Sequence, residues 1–221
     1  MNQDLRFFSA DSENRSTLSA VEQMETLARK YHAGQFRKDG KTPYFEHPAA
    51  VVARLRRWGA GESGSENDVV SLAVAWGHDL LEDTKITAEE ILETGSLGER
   101  ILAGIQMLTF AVPSDAGTKA QRDRKKAEYI RVVARTASPE ILAVKIADRL
   151  CNTEDFFLGW GKDRALSYLA KGADLLENAH RLDPSFRAAC ENDIHALLVR
   201  LLDKNEDNAS LIALLKTSIG R

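Results

Sequence analysis

The stretch WGHDLLEDT, residues 76–84, places one histidine and three carboxylates among apolar residues. On a helix, His78 lies one turn before Glu82 and Asp79 lies one turn before Asp83, so four ionisable groups share one side. Buried without compensation, these groups would repel one another, and a divalent cation would supply the missing positive charge. The alternative is a solvated acidic face at a helix end. This stretch by itself does not decide between the two.

Two other segments carry a polar residue where a site could form. His47 falls at the junction of a loop and a helix, immediately before Pro48. A histidine there often serves only as a surface or capping residue. Asp148 sits inside the apolar helical pattern VKIADRLCNT, with Asn152 one turn later. Its alternative role is an ion pair with Lys145, since a buried aspartate almost always has a partner.

The three segments together offer two imidazoles and two carboxylates, from His47, His78, Asp79 and Asp148. A mixed nitrogen and oxygen donor set suits manganese, iron or zinc better than metals that demand soft thiolates. We therefore predict a metal site built from these four side chains.

The pattern along the chain is helical throughout. Capping boxes open helices at Ser19–Glu22 and Thr87–Glu90, and Ser138 with Pro139 marks the start of a long one. Apolar residues at helical period predict continuous helices over Asp68–Asp83 and Asp163–Arg181. β-branched residues do not alternate as they would in strands. The sequence predicts an all-α fold of about ten helices.

Composition limits the class of protein. The 221 residues include 43% hydrophobic and 29% charged residues, with a net charge of -3, which argues against nucleic acid or a membrane as a bulk partner. Only two cysteines, the lack of a signal peptide and the lack of a long apolar run favour a cytoplasmic protein. We predict one domain over residues 18–221 after a flexible arm over residues 1–17; a homodimer remains open.

Three segments now carry a family resemblance. HAGQFRKDGKTPYFEHPAAVVARL (residues 32–55), AVAWGHDLLEDT (73–84) and VKIADRLCNT (144–153) resemble, in order and spacing, the motifs of the HD-superfamily hydrolase domain of RelA/SpoT-type alarmone enzymes. The resemblance covers about residues 19–155. Since no second catalytic domain follows, the chain looks like a free-standing small alarmone hydrolase.

The resemblance implies a role for each matching side chain. One manganese ion would be held by the four predicted ligands named above. Glu82 and Asp83 match an acidic pair that positions water and manages protons. Arg37 and Lys38 match a basic pair in the nucleotide pocket, with the arginine against the purine and the lysine near phosphate. Asn152 matches a pocket residue close to the sugar.

The implied reaction removes pyrophosphate from the ribose 3′ position of guanosine tetra- or pentaphosphate, leaving GDP or GTP. The chain departs from the family after Asn152, where Glu154 replaces the usual arginine. We expect this change to alter which nucleotide is accepted. Adenosine counterparts, or a nucleotide with a 2′- or 3′-monophosphate such as NADPH, are therefore alternative substrates. A catalytically silent nucleotide-binding regulator is a third hypothesis, although neither the ligands nor the acidic pair are lost.

Overall fold

A computed structural model describes residues 19–111 and 117–217. The helices are α1 (Ala20–Tyr31), α2 (Glu46–Arg57), α3 (Glu66–Gly77), α4 (Leu80–Asp83), α5 (Ala88–Leu92), α6 (Gly98–Leu108), α7 (Lys119–Thr136), α8 (Pro139–Trp160), α9 (Lys162–Ala170), α10 (Ala173–Glu177), α11 (Pro184–Leu202) and α12 (Asn208–Thr217), with a 3-10 helix over Asn178–Arg181. Across these described residues the β structure is one isolated bridge, Phe36 to Pro43. The all-α prediction is confirmed. The predicted arm over residues 1–17 lies outside the described part.

The helix starts predicted at Ser19, Thr87 and Ser138 are confirmed. Ser19 and Thr87 each accept the backbone N–H three residues on, and the glutamates at those positions bond back to the cap. Ser138 precedes Pro139 with extended backbone angles, which lets the proline take the first position of α8. Capping side chains therefore fix where α1 and α5 begin, whereas Ser138 makes no side-chain capping bond and Pro139 marks the start of α8.

Helix α3 is the centre of the fold. Eight consecutive residues, 70–77, are buried, because α1, α2, α6 and α8 all pack on α3. Gly77 ends the helix where α1 and α6 approach most closely: a Cβ there would lie 2.6 Å from Ile105 Cδ1 and would also overlap Met24. This close packing fixes the position of the next two residues, which carry site side chains.

The predicted continuous helix over Asp68–Asp83 is wrong at its centre, since α3 ends at Gly77 and α4 starts at Leu80. The Nδ1–H of His78 donates to the carbonyl oxygen of Ala75 at 2.8 Å. In an unbroken helix that carbonyl would accept the Asp79 N–H. The imidazole therefore replaces a backbone donor, and the chain turns at His78 and Asp79.

The predicted helix over Asp163–Arg181 is also interrupted, and for a similar reason. Arg149 donates from Nη1 to the carbonyl oxygen of Tyr168 at 3.2 Å. A regular helix would offer that carbonyl to the Gly172 N–H, which instead donates to Leu169 at 2.8 Å. A Cβ at Gly172 would lie 2.7 Å from Arg149 Nε. Glycine thus gives room for the arginine at the break.

The C-terminal helices pack on α8 and on one another. Helix α9 lies along α8, α11 packs on α12, and α10 contacts α7. No described helix has both the length and the apolar character that a bilayer crossing requires.

Candidate metal centre and acidic pair

Four predicted ligands meet between α2, α3 and α8. Histidine Nε2 atoms of His47 and His78 lie 3.2 Å apart. Asp79 Oδ2 is 3.7 Å from His47 Nε2 and 3.2 Å from His78 Nε2. Asp148 Oδ1 is 3.2 Å from His47 Nε2 and 3.8 Å from His78 Nε2. Side chains from three separate segments therefore point at one small volume.

Three of these five spacings, at 3.2 Å, match those expected around one divalent ion, and the other two are 0.3 to 0.4 Å longer than a tetrahedral site gives. Ligands at about 2.1 Å from an ion lie about 3.0 Å apart at adjacent octahedral positions and about 3.4 Å apart at tetrahedral ones. Since a carbonyl oxygen can only accept, the Ala75 bond fixes a proton on His78 Nδ1 and leaves Nε2 with a lone pair when the ring is neutral. His47, His78 and Asp79 alone already satisfy the distances expected of a metal-binding group.

The electrostatics of the centre also favour a cation. Burial by itself lowers the pKa of His78, but the carboxylates of Asp79 and Asp148 raise that pKa to about 9. Burial likewise raises the pKa of Asp148, yet Lys145 and the imidazoles hold it well below its usual range. Buried carboxylates that stay ionised need positive charge nearby, from protons or from a metal.

Asp148 has partners on both of its oxygens. Oδ2 accepts Lys145 Nζ at 3.1 Å, which is the ion pair that the sequence allowed. Oδ1 accepts the Asn152 amide and faces His47. The ion pair and the histidine contact therefore use different oxygens, so they do not exclude one another.

The acidic pair lies on α4 beside the centre. Glu82 Oε2 accepts the backbone N–H of Phe110 at 3.3 Å. Glu82 is exposed, yet the partial desolvation of its carboxyl group raises its pKa, the Phe110 N–H lowers it, and Asp79 raises it again, with a net rise. Asp83 is exposed, and its Oδ2 accepts the hydroxyl of Tyr44 at 2.9 Å. The two carboxyl groups thus have different surroundings.

Two residues of this site were missed as functional candidates in the sequence. Tyr44 also donates to Asp79 Oδ2 at 2.7 Å, and Lys145 was considered only as an ordinary ion-pair partner. Tyr44 stands in a loop without periodicity, so the local pattern gives no sign of what its hydroxyl contacts. Its place three residues before His47 is the one signal that was available.

The predicted nucleotide-pocket residues meet at the middle of α8. Arg37 Nη2 lies 2.7 Å from Asn152 Oδ1 and 2.7 Å from Asp155 Oδ2. Lys38 Nζ lies 5.1 Å above the ring centroid of Phe156. Because Asn152 also bonds to Asp148, the predicted pocket adjoins the predicted metal ligands.

Glu154 takes part in a separate ionic cluster. Its carboxylate lies 2.7 Å from Arg54 Nη2 and 3.7 Å from Arg200 Nη2. Arg54 is buried and also reaches Asp193 at 3.2 Å, which in turn accepts the indole N–H of Trp58 at 2.9 Å. The charge of Glu154 is thus compensated by α2 and α11. Its expected role in nucleotide choice stays a prediction.

Comparison with known proteins gives the family. A family model described as an HD domain matches residues 25–158. The chain belongs to the HD domain family. Within it, the human guanosine-3′,5′-bis(diphosphate) 3′-pyrophosphohydrolase MESH1 is 32% identical over 163 residues, which cover 71% of this chain and 82% of that protein. The Danio rerio protein of the same name is 30% identical over 161 residues, covering 70% and 81%. The predicted resemblance to RelA/SpoT-type HD hydrolases is confirmed.

Other relatives are much longer. A Streptomyces coelicolor protein named GTP pyrophosphokinase is 33% identical over 138 residues, 62% of this chain, and the match spans only 15% of its length. Among solved structures, one titled "A metazoan ortholog of SpoT hydrolyzes ppGpp and plays a role in starvation responses" superposes with a TM-score of 0.61 at 21% identity, covering 81% of this HD domain chain and 96% of the other. That likeness supports the all-α HD fold.

Proposed function

We propose that this chain hydrolyses guanosine 3′,5′-bis(diphosphate) and its pentaphosphate counterpart to GDP or GTP and pyrophosphate, with one manganese ion. The observation that carries the proposal is the meeting of four nitrogen and oxygen donors beside an acidic pair: the two imidazole Nε2 atoms lie 3.2 Å apart, and each carboxylate lies 3.2 to 3.8 Å from both of them. The names of the human and Danio rerio relatives support the substrate. Two buried free thiols, Cys151 and Cys190, suit a cytoplasmic enzyme.

The ion would be held by His47, His78, Asp79 and Asp148. A bound divalent cation supplies Lewis acidity and makes hydroxide available near neutral pH. Manganese suits this mixed donor set. The partners of the ligands then matter, because bonds to a ligand's other atoms fix its orientation. Lys145 and Asn152 do this for Asp148, and the Ala75 carbonyl does it for His78.

The acidic pair would manage the protons. In the reaction, a water oxygen bonds to the phosphorus that carries the ribose 3′-oxygen, the bond from that phosphorus to the 3′-oxygen breaks, and the departing oxygen needs a proton. Glu82 suits the acid, because its raised pKa keeps a proton at a higher pH than an ordinary glutamate does. Asp83, whose carboxylate is held by Tyr44, suits the group that orients the water and accepts the proton that the water loses.

The nucleotide would bind against Arg37, Lys38 and Asn152. Contacts to Asn152 and Asp155 fix the plane of the Arg37 guanidinium, which suits stacking on a purine. Lys38 carries a mobile point charge suited to a phosphate. Asn152 bonds to both Arg37 and Asp148, so it would link base recognition to the metal centre.

The test incubates purified protein with manganese and a panel of nucleotides, with and without a chelator, and identifies the products by chromatography. The panel contains the guanosine alarmones, their adenosine counterparts and NADPH. We expect equal amounts of guanosine nucleotide and pyrophosphate, lost on chelation. Release from the adenosine counterparts or NADPH but not from the guanosine compounds would contradict the substrate, and no release from any compound would contradict the activity.

A further inference from the structure

The Tyr44 hydroxyl bridges the two functional parts of the centre. It lies 2.7 Å from Asp79 Oδ2 and 2.9 Å from Asp83 Oδ2. Asp79 is a predicted metal ligand, and Asp83 belongs to the acidic pair. The hydroxyl has one hydrogen, which the two carboxylate oxygens share as acceptors. One side chain therefore sets how far apart these carboxylates sit.

The ring of Tyr44 is held on its own side. It stacks on His32, with ring centroids 4.6 Å apart and planes 24° apart. His32 is buried, and its Nδ1 bonds to Gln35 Oε1 at 2.7 Å. Gln35 Nε2 donates to the backbone carbonyl of Asp83 at 3.0 Å. The same series of contacts, through His32 and Gln35, thus holds both the ring of Tyr44 and the backbone of Asp83.

We propose that Tyr44 is a positioning residue, which orients Asp79 for metal binding and holds Asp83 at a fixed distance from the metal centre, with His32 as the support for its ring. This inference rests on the proposed function for its kinetic part alone. Its metal-binding part needs no substrate.

Asp83 needs a partner that fixes the orientation of its carboxylate. This carboxylate is exposed on a helix of four residues, and Tyr44 is the side chain shown bonding to it. A phenylalanine ring would leave the carboxylate free to rotate in water. Removing such an orienting partner typically costs about 10- to 100-fold in metal affinity or activity.

The first measurement is manganese binding by titration calorimetry, without substrate, after the metal is stripped from each protein. Tyr44→Phe keeps the ring and removes the hydroxyl, and we expect about 10-fold or greater loss of affinity. The matched control is Tyr31→Phe. The Tyr31 hydroxyl also bonds to a carboxylate, Glu90, at 2.5 and 2.6 Å, but away from the site. Its manganese affinity should stay within about 2-fold of wild type.

The second measurement separates position from general stability. With manganese saturating, Tyr44→Phe should lower kcat about 10-fold while KM changes less than about 3-fold, because Asp83 is displaced but the nucleotide pocket is not. Tyr31→Phe should leave both constants unchanged. Thermal unfolding of each variant checks that the fold is intact.

A third pair of variants tests the ring support and keeps the inference testable if Tyr44→Phe does not fold. His32→Ala removes the stacking surface and should weaken manganese binding. His32→Phe restores a ring and should bind within about 3-fold of wild type, since His32 Nε2 is buried without a bond and only the Gln35 bond is lost.

Wild-type manganese affinity in Tyr44→Phe would overturn the inference, even if the enzyme activity were as proposed. Equal affinities for His32→Ala and wild type would remove the ring-support step. If wild type binds manganese but turns over no nucleotide in the panel, a loss of affinity in Tyr44→Phe would uphold the positioning of Asp79 while the proposed function fails.

Discussion

Helices α2 and α8 meet at two polar contacts with opposite outcomes. At one, His47 Nε2 lies 3.2 Å from Asp148. At the other, Arg54 Nη2 lies 2.7 Å from Glu154. In both, a buried side chain of α2 faces a carboxylate of α8. The contacts differ in which groups compensate the negative charge of the carboxylate.

At the arginine contact the protein itself compensates the carboxylates. Arg54, Arg57 and Arg200 each lie within 3.9 Å of Glu154 or Asp193, so three positive charges face two negative ones. At the histidine contact an imidazole brings no permanent charge, and the nearby carboxylates outnumber Lys145. Where α2 supplies arginine, the helix pair therefore forms an ion-pair cluster that contains its own countercharges, which we call the arginine brace. Where α2 supplies histidine, the same pair forms a centre that attracts a cation.

The largest effect should come from removing the carboxylate at the histidine contact. Asp148→Asn keeps the side-chain volume but loses a charged ligand, and we expect manganese affinity and turnover to fall more than about 100-fold, beyond the effect of an orienting partner. Metal titration and product assays measure this, and circular dichroism checks the helices. The matched control is Glu154→Gln at the brace, which should keep both. Normal turnover by Asp148→Asn would remove this residue from the site.

A second pair of variants, on α4 beside the histidine contact, distinguishes an effect on metal binding from an effect on the catalytic rate. Glu82→Gln and Asp83→Asn should still bind manganese, because neither carboxylate is a proposed ligand. Each should slow kcat by about 10²- to 10⁴-fold, the usual contribution of a positioned acid or base. The residue that gives the proton makes the rate fall as the pH rises through its pKa, so loss of this basic limb of the pH–rate profile in one variant would identify it. Wild-type rates in both would exclude proton management by this pair.

Charge reversal at the brace should affect stability rather than chemistry. Glu154→Arg places a third cation beside Arg54 and Arg200, and we expect about 1–3 kcal/mol less stability, limited by the partial exposure of Glu154 and by the remaining Asp193 contact. Denaturant unfolding measures it. The ratio of rates on guanosine and adenosine substrates should stay constant. A changed ratio would instead support the sequence-based expectation that Glu154 selects the nucleotide.

The smallest effect concerns a carboxylate balanced by hydrogen bonds alone. Asp39 is exposed in the loop that carries Arg37 and Lys38; the Thr42 hydroxyl and the backbone N–H groups of Lys41 and Thr42 lower its pKa to about 2. A lowered pKa means that these bonds are complete above about pH 4 and are lost as the pH falls through about 2. NMR titration should show this. Asp39→Asn should speed amide exchange in the loop at neutral pH; unchanged exchange would contradict it.

Much of the fold was predictable because its signals are local. The Ser19, Thr87 and Ser138 starts depend on contacts within a few residues, so the sequence shows them directly. The four metal-site residues were predicted from residue type and family spacing. Their roles are still predictions, but the structure brings all four together.

The errors in the sequence analysis come from side-chain contacts that apolar periodicity does not record. Both interrupted helices contain a carbonyl taken by a side chain, from His78 within its own turn and from Arg149 across two helices. Apolar periodicity cannot register such a bond. Tyr44 was missed for the same reason, because its partners Asp79 and Asp83 lie 35 and 39 residues away. The partners of Glu154, Arg54 and Arg200, lie still further away, at 100 and 46 residues.

The arginine brace has a consequence for dissecting the protein. Asp193 lies on α11, beyond the residues 25–158 that define the family match. A fragment ending at α8 would strip Arg54 of one carboxylate and uncover the apolar side of α8. The shortest autonomous folding unit should therefore include α11, although every proposed chemical group precedes it.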